Sequence, residues 1–346
     1  MKASTDTLDL FDPFVVRPEL VVSPNAVDAA IDRWATMLLV REVEFKIAEL
    51  SRAKLIGCPC HLAVGQEAVA AGVAAVLRTT DRVFGTHRSH AHYLSMKGDV
   101  YELFAEVLGR VEGCSNGNGG SMHLIALDKG FHGSVPIVGG TVSLAAGAAL
   151  AAKLDGRGDV AVAFFGDGAA EEGVVHESFN VASVMKLPVV FVVENNLFSS
   201  HLDLEYRQPA KSVARYGPGH CIPAVMIDGN DVTAIEAAAE VAVARARRGE
   251  GPSIIEAVTF RWFGHVGPNE DIDVGNRRNM DEVQAWKELD PIKRLSTAIL
   301  KTDPARKSQL EALERSISEG IERDSARALE APWPDANMLL ADVYGS

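Results

Sequence analysis

The stretch VAVAFFGDGAAEEG, residues 160–173, sets the fold of this chain together with LPVVFVVENN, residues 187–196. Residues 160–165 and 189–193 are continuous apolar runs, which is typical of strands that are buried on both faces. The residues between these runs, 169–186, have the composition of a helix that a Leu-Pro pair ends. A strand, a helix and a second strand in this order predict a crossover between two parallel neighbours.

Polar residues follow each of the two predicted strands. Parallel sheets bind ligands beyond the carboxyl ends of their strands, so Asp167 and Asn196 should meet at one edge. Carboxylate and amide oxygens are ligands that Mg²⁺ accepts while it keeps positions for substrate phosphates. Gly166 and Gly168 would let a diphosphate approach the backbone, and a helix beginning at Ala169 would offer its first N–H groups.

Composition narrows the class of protein. The chain has 346 residues, of which 47% are hydrophobic, and this is enough for a large core. Its 34 basic and 47 acidic residues give a net charge of −13, which argues against nucleic-acid binding. Four cysteines are too few for a disulfide scaffold, and Cys58-Pro59-Cys60 lacks the second pair of a zinc site.

The start of the chain, MKASTDTLDLFDPF, predicts neither a signal peptide nor a transit peptide. It has no apolar segment and carries several aspartates. The longest run of small apolar residues, 144–152, is too short to cross a bilayer. These observations predict a cytoplasmic protein without a membrane partner.

Strands and helices alternate through the middle of the chain. This pattern predicts an α/β fold with a doubly wound parallel sheet over residues 55–270. An N-terminal arm and helix (1–54) and a loop with C-terminal helices and a tail (271–346) would flank it. Residues 61–77 are expected to form one apolar helix, and residues 131–140 a glycine-punctuated loop.

Nine ordered motifs resemble one enzyme family. With the Gly-Asp-Gly to Asn-Asn unit, which resembles the thiamine diphosphate motif, the chain is similar to alpha subunits of two-chain thiamine diphosphate-dependent 2-oxo acid dehydrogenases. This family includes the pyruvate, branched-chain and acetoin enzymes. The matching motifs are HLAVGQEA (61–68), HRSHAHY (87–93), GNGGSMH (117–123), IVGG (137–140), GDGAAEEG (166–173), LPVVFVVENN (187–196), IDGND (227–231), RWFGH (261–265) and DPI (290–292).

The resemblance implies roles for the matching residues. Asp167, Asn196 and the carbonyl of Phe198 would hold Mg²⁺. The backbone of Gly168 and Ala169 would bind the diphosphate, and arginines would neutralise it because guanidinium groups bind phosphate oxygens in pairs. The full set of expected cofactor contacts is His87, Arg88, Val138, Gly166, Asp167, Gly168, Ala169, Asn196, Arg261 and His265.

Histidines are the predicted catalytic residues. His265 follows Gly264 in a loop at the carboxyl end of the predicted sheet, and a neutral imidazole there could move a proton or stabilise charge on a carbonyl oxygen. His90 also matches a motif position and is expected to face the substrate or the cofactor. His87 stands where the family commonly has tyrosine. His61 and His176 are expected to be packing or surface residues on helices.

The resemblance also implies a partner chain. In this family a separate beta subunit supplies the glutamate that activates the aminopyrimidine ring, and this chain is too short for a second cofactor-binding domain. We therefore expect an α2β2 heterotetramer with the cofactor between subunits and Val138 near the aminopyrimidine. A lipoyl acyltransferase would be a further partner, and a 2-oxo acid the substrate.

Departures from the family pattern leave alternatives open. Val266 replaces a common serine, Pro136 a common glycine, and residues 197–200 and 266–277 also differ. An acyloin-forming or two-carbon-transferring enzyme with the same cofactor is therefore the second hypothesis. An NAD-binding protein is a third, although Glu171 occupies the last glycine position of G-x-G-x-x-G. A catalytically silent scaffold subunit is the fourth.

Overall fold

A parallel sheet of six strands forms the centre of the protein. The computed structural model describes residues 8–337; residues 1–7 and 338–346, with the outer ends of the predicted arm and tail, lie outside the described residues. In chain order the strands are β1 (Arg82–Gly85), β2 (Phe131–Ser134), β3 (Ala161–Gly166), β4 (Val189–Asn195), β5 (Phe198–Ser199), β6 (Leu202–Asp203), β7 (Ala224–Asp228), β8 (Ser253–Val258), β9 (Ile272–Asp273) and β10 (Asn276–Arg277). The central sheet has the order β2-β1-β3-β4-β8-β7, while β5-β6 and β9-β10 are small antiparallel hairpins.

Helices cover both faces of this sheet. In chain order they are α1 (Val27–Arg52), α2 (Glu67–Ala74), α3 (His90–Ser95), α4 (Val100–Val107), α5 (Gly140–Asp155), α6 (Gly173–Val184), α7 (Tyr216–Gly219), α8 (Val232–Arg247), α9 (Met280–Glu288), α10 (Pro291–Thr302) and α11 (Lys307–Glu330). Local chemistry sets several of their starts. Asp231 caps α8 and Asn279 caps α9, while Asp290 caps α10 with a proline at its first turn.

The predicted crossover is present. β3 and β4 pair in parallel from Ala161–Val189 to Gly166–Glu194, and α6 lies in the connection between them. Side chains alternate between two hydrophobic clusters: Phe164 faces the cluster under α1, α2 and α8, whereas Phe165 faces the cluster under α5 and α6. Burial on both faces explains why these strands are apolar throughout, and the predicted α/β fold class is confirmed.

The helix predicted from Ala169 is divided in two. Residues Ala169–Glu171 form a 3₁₀ turn, Glu172 is extended (ψ 137°), and α6 begins only at Gly173. The side chain of Glu171 accepts hydrogen bonds from Arg207 and Gln208, which tie the turn to a distant loop. The first N–H groups beside Asp167 therefore belong to a short turn and not to a long helix.

Two other local predictions were wrong. Residues 61–66 precede α2 as a loop, since Ala63 and Gly65 donate backbone hydrogen bonds to Glu44 and Glu67 instead of entering a helix. Residues 131–134 form the edge strand β2, although glycine and histidine weaken its strand signal.

The flanking segments pack onto the sheet domain. The cluster that contains Phe164 runs without interruption from Leu20 in the N-terminal arm to Ala328 in α11. Domain boundaries near residues 54 and 270 therefore stay a prediction. Among residues 8–337, no helix is both long enough and apolar enough to cross a membrane.

Candidate active site

A cavity of about 280 Å³ opens beyond the carboxyl ends of β3 and β4. Its position is the one at which open parallel sheets bind ligands. Ten of the predicted site residues line it, while Arg261 and His90 do not. The ten are His87, Arg88, Val138, Gly166, Asp167, Gly168, Ala169, Asn196, Phe198 and His265.

Asp167 has one occupied and one unoccupied carboxylate oxygen. Its Oδ2 accepts a hydrogen bond from Arg207, whose side chain also pairs with Glu171. Its Oδ1 is buried and has no hydrogen-bond partner within residues 8–337. Burial raises the pKa of this carboxyl, and Arg207 opposes the shift by favouring the charged form. The carboxylate is thus fixed by one oxygen and offers the other, which suits a monodentate metal ligand.

Asn196 is the second predicted metal ligand on the cavity wall. Its Nδ2 donates to Gln66 Oε1 (3.2 Å), and its Oδ1 accepts from the backbone of Phe198 (3.3 Å). The preceding Asn195 is buried and instead donates to Glu256 Oε1 (2.7 Å), so only one residue of the pair faces the cavity.

The backbone after Asn196 is held in an unusual conformation. Leu197 has a φ angle of +71° and Ser200 has one of +55°. Residues other than glycine rarely adopt φ angles in this region. These two residues flank Phe198, whose carbonyl is the third predicted metal ligand. Strained backbone of this kind persists only where the surroundings hold it, and it clusters at functional sites.

A glycine is required beside this segment. A Cβ atom built on Gly168 would lie 2.5 Å from Ser199 Oγ and 2.8 Å from Ser199 Cβ. The loop that carries Phe198 therefore packs directly on the loop that carries Asp167.

Gly168→Ala should consequently displace Ser199 and weaken ligand binding in the cavity. The backbone of Gly168 is right-handed (φ −67°), so the substitution adds steric conflict and no backbone strain. We expect a loss of about 1–3 kcal/mol in the free energy of unfolding, measured by urea titration. Gly173→Ala is the matched control, because a Cβ there meets nothing within 4 Å. Equal stability of the two variants would contradict the close packing.

Two buried arginines give the site a positive charge. Arg88 donates to the carbonyls of Leu62 (2.7 Å) and His265 (3.2 Å). Burial, together with the charge of Arg261, lowers the pKa of Arg88 to about 9. Arg261 lies behind the cavity wall and donates to Asp273 Oδ2 and to the Ser200 carbonyl, both at 2.8 Å.

Part of the Arg261 guanidinium is left without a partner. Its Nε and Nη1 are buried and make no hydrogen bond to any described residue. Burial lowers the pKa of Arg261, and Asp273 opposes this shift. Among residues 8–337, only one carboxylate, that of Asp273, contacts the two arginines. An anion in this region would therefore complete both the charge and the hydrogen bonding.

Three histidine rings form a cluster on the cavity wall. The ring centroids of His61 and His87 are 4.5 Å apart, those of His61 and His265 4.9 Å, and those of His87 and His265 5.2 Å. Burial and the charge of Arg88 lower the pKa of His61 to about 3, of His87 to about 2 and of His265 to about 4. All three imidazoles are therefore neutral at pH 7.

This cluster should make the protein sensitive to mild acid. Below a pH of about 6.5 the histidines of the unfolded chain take up protons, whereas those of the folded chain stay neutral down to about pH 4. The free energy of unfolding therefore decreases as the pH decreases. The decrease is at most about 1.4 kcal/mol per pH unit for each histidine, and it is smaller for the partly exposed His87 and His265. Urea titrations between about pH 7 and pH 5 test this, and His87→Phe should flatten the slope. An unchanged slope in that variant would refute the assignment.

His90 has no ring nitrogen available for a substrate. Its Nδ1 contacts Glu44 Oε2 and its Nε2 contacts Ser121 Oγ, each at 2.8 Å, and the side chain is fully buried. It does not line the cavity. The structure corrects the placement expected for His90, because the residue joins α1 to the 3₁₀ turn Gly120–Met122 and does not face the cavity. Its catalytic role stays a prediction.

Glu194 lines the cavity and contacts the buried His92. Ser89 donates its single hydroxyl hydrogen to the Thr86 carbonyl (2.7 Å), so His92 Nδ1 must donate to Ser89 Oγ (3.1 Å). The contact between His92 Nε2 and Glu194 Oε1 is 3.2 Å long and ties Glu194 to α3.

Several residues of the site were missed by the sequence interpretation. His61 and Gln66 both line the cavity. Both belong to the motif HLAVGQEA, but they were interpreted as parts of an apolar helix. Glu194 directly precedes Asn195 and Asn196, so its place at the end of the strand could also have been predicted from the sequence. Arg207 lies outside all the motifs, and nothing in the sequence marked it.

The buried atoms without hydrogen-bond partners in the described chain indicate the kind of ligand that the site could bind. One anionic oxygen of Asp167, one amide of Asn196 and an incompletely bonded Arg261 suit a hard cation held together with a diphosphate. Residues 35–337 match the family model described as the dehydrogenase E1 component, and the chain belongs to this family. This confirms the predicted relationship to alpha subunits of thiamine diphosphate-dependent 2-oxo acid dehydrogenases, and with it the enzyme class, a decarboxylating oxidoreductase.

Named relatives are similar over nearly the whole chain. The alpha subunit of acetoin:2,6-dichlorophenolindophenol oxidoreductase from Bacillus subtilis (strain 168) is 40% identical over 320 residues, which cover 92% of this chain and 94% of the relative. The pyruvate dehydrogenase E1 component subunit alpha from Rhizobium meliloti (strain 1021) is 37% identical, covering 90% of this chain and 88% of the relative. The pyruvate dehydrogenase E1 component subunit alpha, somatic form, mitochondrial, from Homo sapiens is 34% identical, and the match covers 90% of this chain and 79% of the relative.

Proposed function

We propose that this chain binds thiamine diphosphate and Mg²⁺ and, with a beta subunit, acts on a small 2-oxo acid or acyloin. The observation that carries the proposal is Asp167 Oδ1, a buried oxygen on the cavity wall that has no partner in the described chain. Behind that wall, Nε and Nη1 of Arg261 also have no partner among the described residues. Mg²⁺ and a diphosphate would satisfy both groups at once.

The cation would be held by Asp167, Asn196 and the Phe198 carbonyl. The diphosphate would lie against the backbone of Gly166, Gly168 and Ala169, which lines the cavity. Arg88 on the cavity wall and Arg261 behind it would balance its charge, and His87 lies next to Arg88 on the wall. When bound, thiamine diphosphate supplies a carbanion-stabilising centre next to the substrate carbonyl carbon.

His265 would handle a proton at the substrate oxygen. Its backbone N–H donates to Asp273 Oδ1 (2.7 Å), which fixes the residue at the cavity wall. With a pKa of about 4, caused by burial and the nearby Arg88, the imidazole is neutral at physiological pH. A neutral ring can donate from one nitrogen and accept at the other, as general acid–base catalysis requires.

The exposed wall of the cavity favours a partner chain. Ile137 and Val138 line the cavity, yet 69% and 52% of their surfaces are exposed. Apolar residues at the mouth of a polar site are typical of a surface that another chain covers. The relatives are themselves named as alpha subunits. We therefore propose a beta subunit that covers Val138 and supplies the catalytic glutamate, in an α2β2 assembly in the cytoplasm.

The substrate is expected to be pyruvate or acetoin. Relatives named for each compound are similar to this chain to nearly the same degree. A lipoyl acyltransferase would receive the acyl group in a dehydrogenase complex, whereas 2,6-dichlorophenolindophenol can serve as an artificial electron acceptor in a simpler assay. A new carbon–carbon bond in the product would instead identify the two-carbon-transferring alternative.

Calorimetry tests the cofactor assignment. Thiamine diphosphate with Mg²⁺ is titrated into the full chain alone and into the chain co-expressed with the beta-type chain encoded beside it. We expect tight binding in the complex and weak binding to the chain alone, and Val138→Asp should reduce assembly of the complex. If thiamine diphosphate does not bind in either sample although the complex assembles, the proposal is wrong.

A further inference from the structure

The histidine cluster has a second capability that the proposed reaction does not use. One ring nitrogen from each of His61, His87 and His265 can be chosen so that all three lie within 4.8 Å of one another. Nδ1 of His61 is buried and makes no hydrogen bond to any described residue. We infer that these three imidazoles form a binding site for a first-row transition cation such as Zn²⁺, separate from the Mg²⁺ site.

The donor set selects the kind of cation. Three neutral imidazoles and one open position are a ligand set that Zn²⁺ and Co²⁺ accept, whereas Mg²⁺ prefers oxygen ligands. In a tetrahedral centre with bonds of about 2.0–2.1 Å, ligand nitrogens lie about 3.3 Å apart. The present separations of at most 4.8 Å would close by small rotations of the side chains.

The protonation state of the three rings favours metal binding. Their lowered pKa values leave each ring with a free lone pair at neutral pH, so binding need not displace a proton from a charged imidazolium. The contact between Arg88 Nη2 and His265 Nδ1 is 3.5 Å, too long for a strong hydrogen bond, and leaves the tautomer of His265 free.

Neighbouring charges both oppose and support a cation here. Arg88 and Arg261 repel it, while Asp273 contacts Arg261 and the backbone of His265 and offsets part of their charge. A diphosphate bound to the arginines would remove more of the repulsion. A cation held by His265 would also occupy the proposed proton-transfer residue, so the site would be inhibitory.

Cobalt provides a direct readout. Co²⁺ is titrated into the full chain in excess Mg²⁺, and the visible absorption of tetrahedral Co²⁺ is recorded. We expect one equivalent per chain, displacement by Zn²⁺, and at least about tenfold weaker binding in His87→Phe and in His61→Asn. His176→Phe is the matched control, since it removes a histidine of a half-buried pair with His220 (3.2 Å) outside the cavity.

The outcomes separate this site from the proposed magnesium site. Asp167→Asn should abolish magnesium-dependent thiamine diphosphate binding and leave the cobalt spectrum unchanged. The inference is overturned if the native chain gives no tetrahedral spectrum, or if either cluster variant that melts at the native temperature binds Co²⁺ as tightly as the native chain. Loss of the spectrum in Asp167→Asn with retention in His87→Phe would assign the cation to the carboxylate and overturn it as well.

Discussion

Asp167→Asn should abolish the magnesium-dependent binding of thiamine diphosphate. The substitution keeps the shape of the side chain but removes its charge, and the oxygen without a partner in the described chain, Oδ1, becomes a weaker ligand. It also leaves Arg207 without one of its two carboxylate partners. Loss of a group that merely orients a ligand already costs 10–100-fold in metal affinity, so we expect a loss above about 100-fold by calorimetry.

Glu171→Gln is the matched control for this experiment. Glu171 contacts the same Arg207 and also Gln208, but it is not among the residues that line the cavity. We expect Mg²⁺ affinity to fall by no more than about tenfold, the lower end of the range for orienting residues. Native affinity in Asp167→Asn would refute the metal site, whereas equal losses in both variants would assign Asp167 a structural role.

His265→Ala should lower the turnover number by about 10²–10⁴-fold, the range expected when a general acid or base is removed. Binding of thiamine diphosphate should change little, because the interaction that anchors the residue is its backbone N–H to Asp273, which alanine retains. The measurements are steady-state rates with pyruvate and with acetoin in the complex, together with calorimetric titration of the cofactor.

The control for His265 is a histidine outside the cavity. His176 lies on α6 with its ring against Tyr216 (4.6 Å between centroids), and His176→Ala should leave the turnover number at the native value. Native turnover in His265→Ala would remove the proposed proton-transfer role. A parallel loss of turnover and cofactor affinity would point to disruption of the whole wall instead.

The sheet was predictable because its strands are buried on both faces. A short and continuous apolar run such as residues 189–193, which follows a proline and ends in polar residues, is typical of a buried strand. The edge strand β2 was not predicted because its sequence, FHGS (131–134), is short and polar. Its pairing with β1 depends on long-range contacts. The break before α6 escaped because it depends on Arg207, which lies 36 residues from Glu171 along the chain.

The site was predictable only as far as the motifs extended. Asp167 and Asn196 were placed correctly at the cavity because the ends of adjacent parallel strands must meet. His90 matched a motif equally well, yet its ring is taken up by Glu44 and Ser121. Which way a side chain points depends on the packing of distant elements, and local sequence does not encode it.

The unusual backbone around Phe198 has a consequence for how this site can evolve. If the metal ligand at this position is a carbonyl, every amino acid provides it, and the side chain is constrained only by its packing, as in the edge contact with the Phe260 ring (6.0 Å between centroids). Selection for metal binding would act instead on the course of the backbone, which has positive φ angles at Leu197 and at Ser200 on either side of Phe198. Directed evolution of the cavity could therefore test other apolar residues at position 198 while keeping Leu197 and Ser200 fixed.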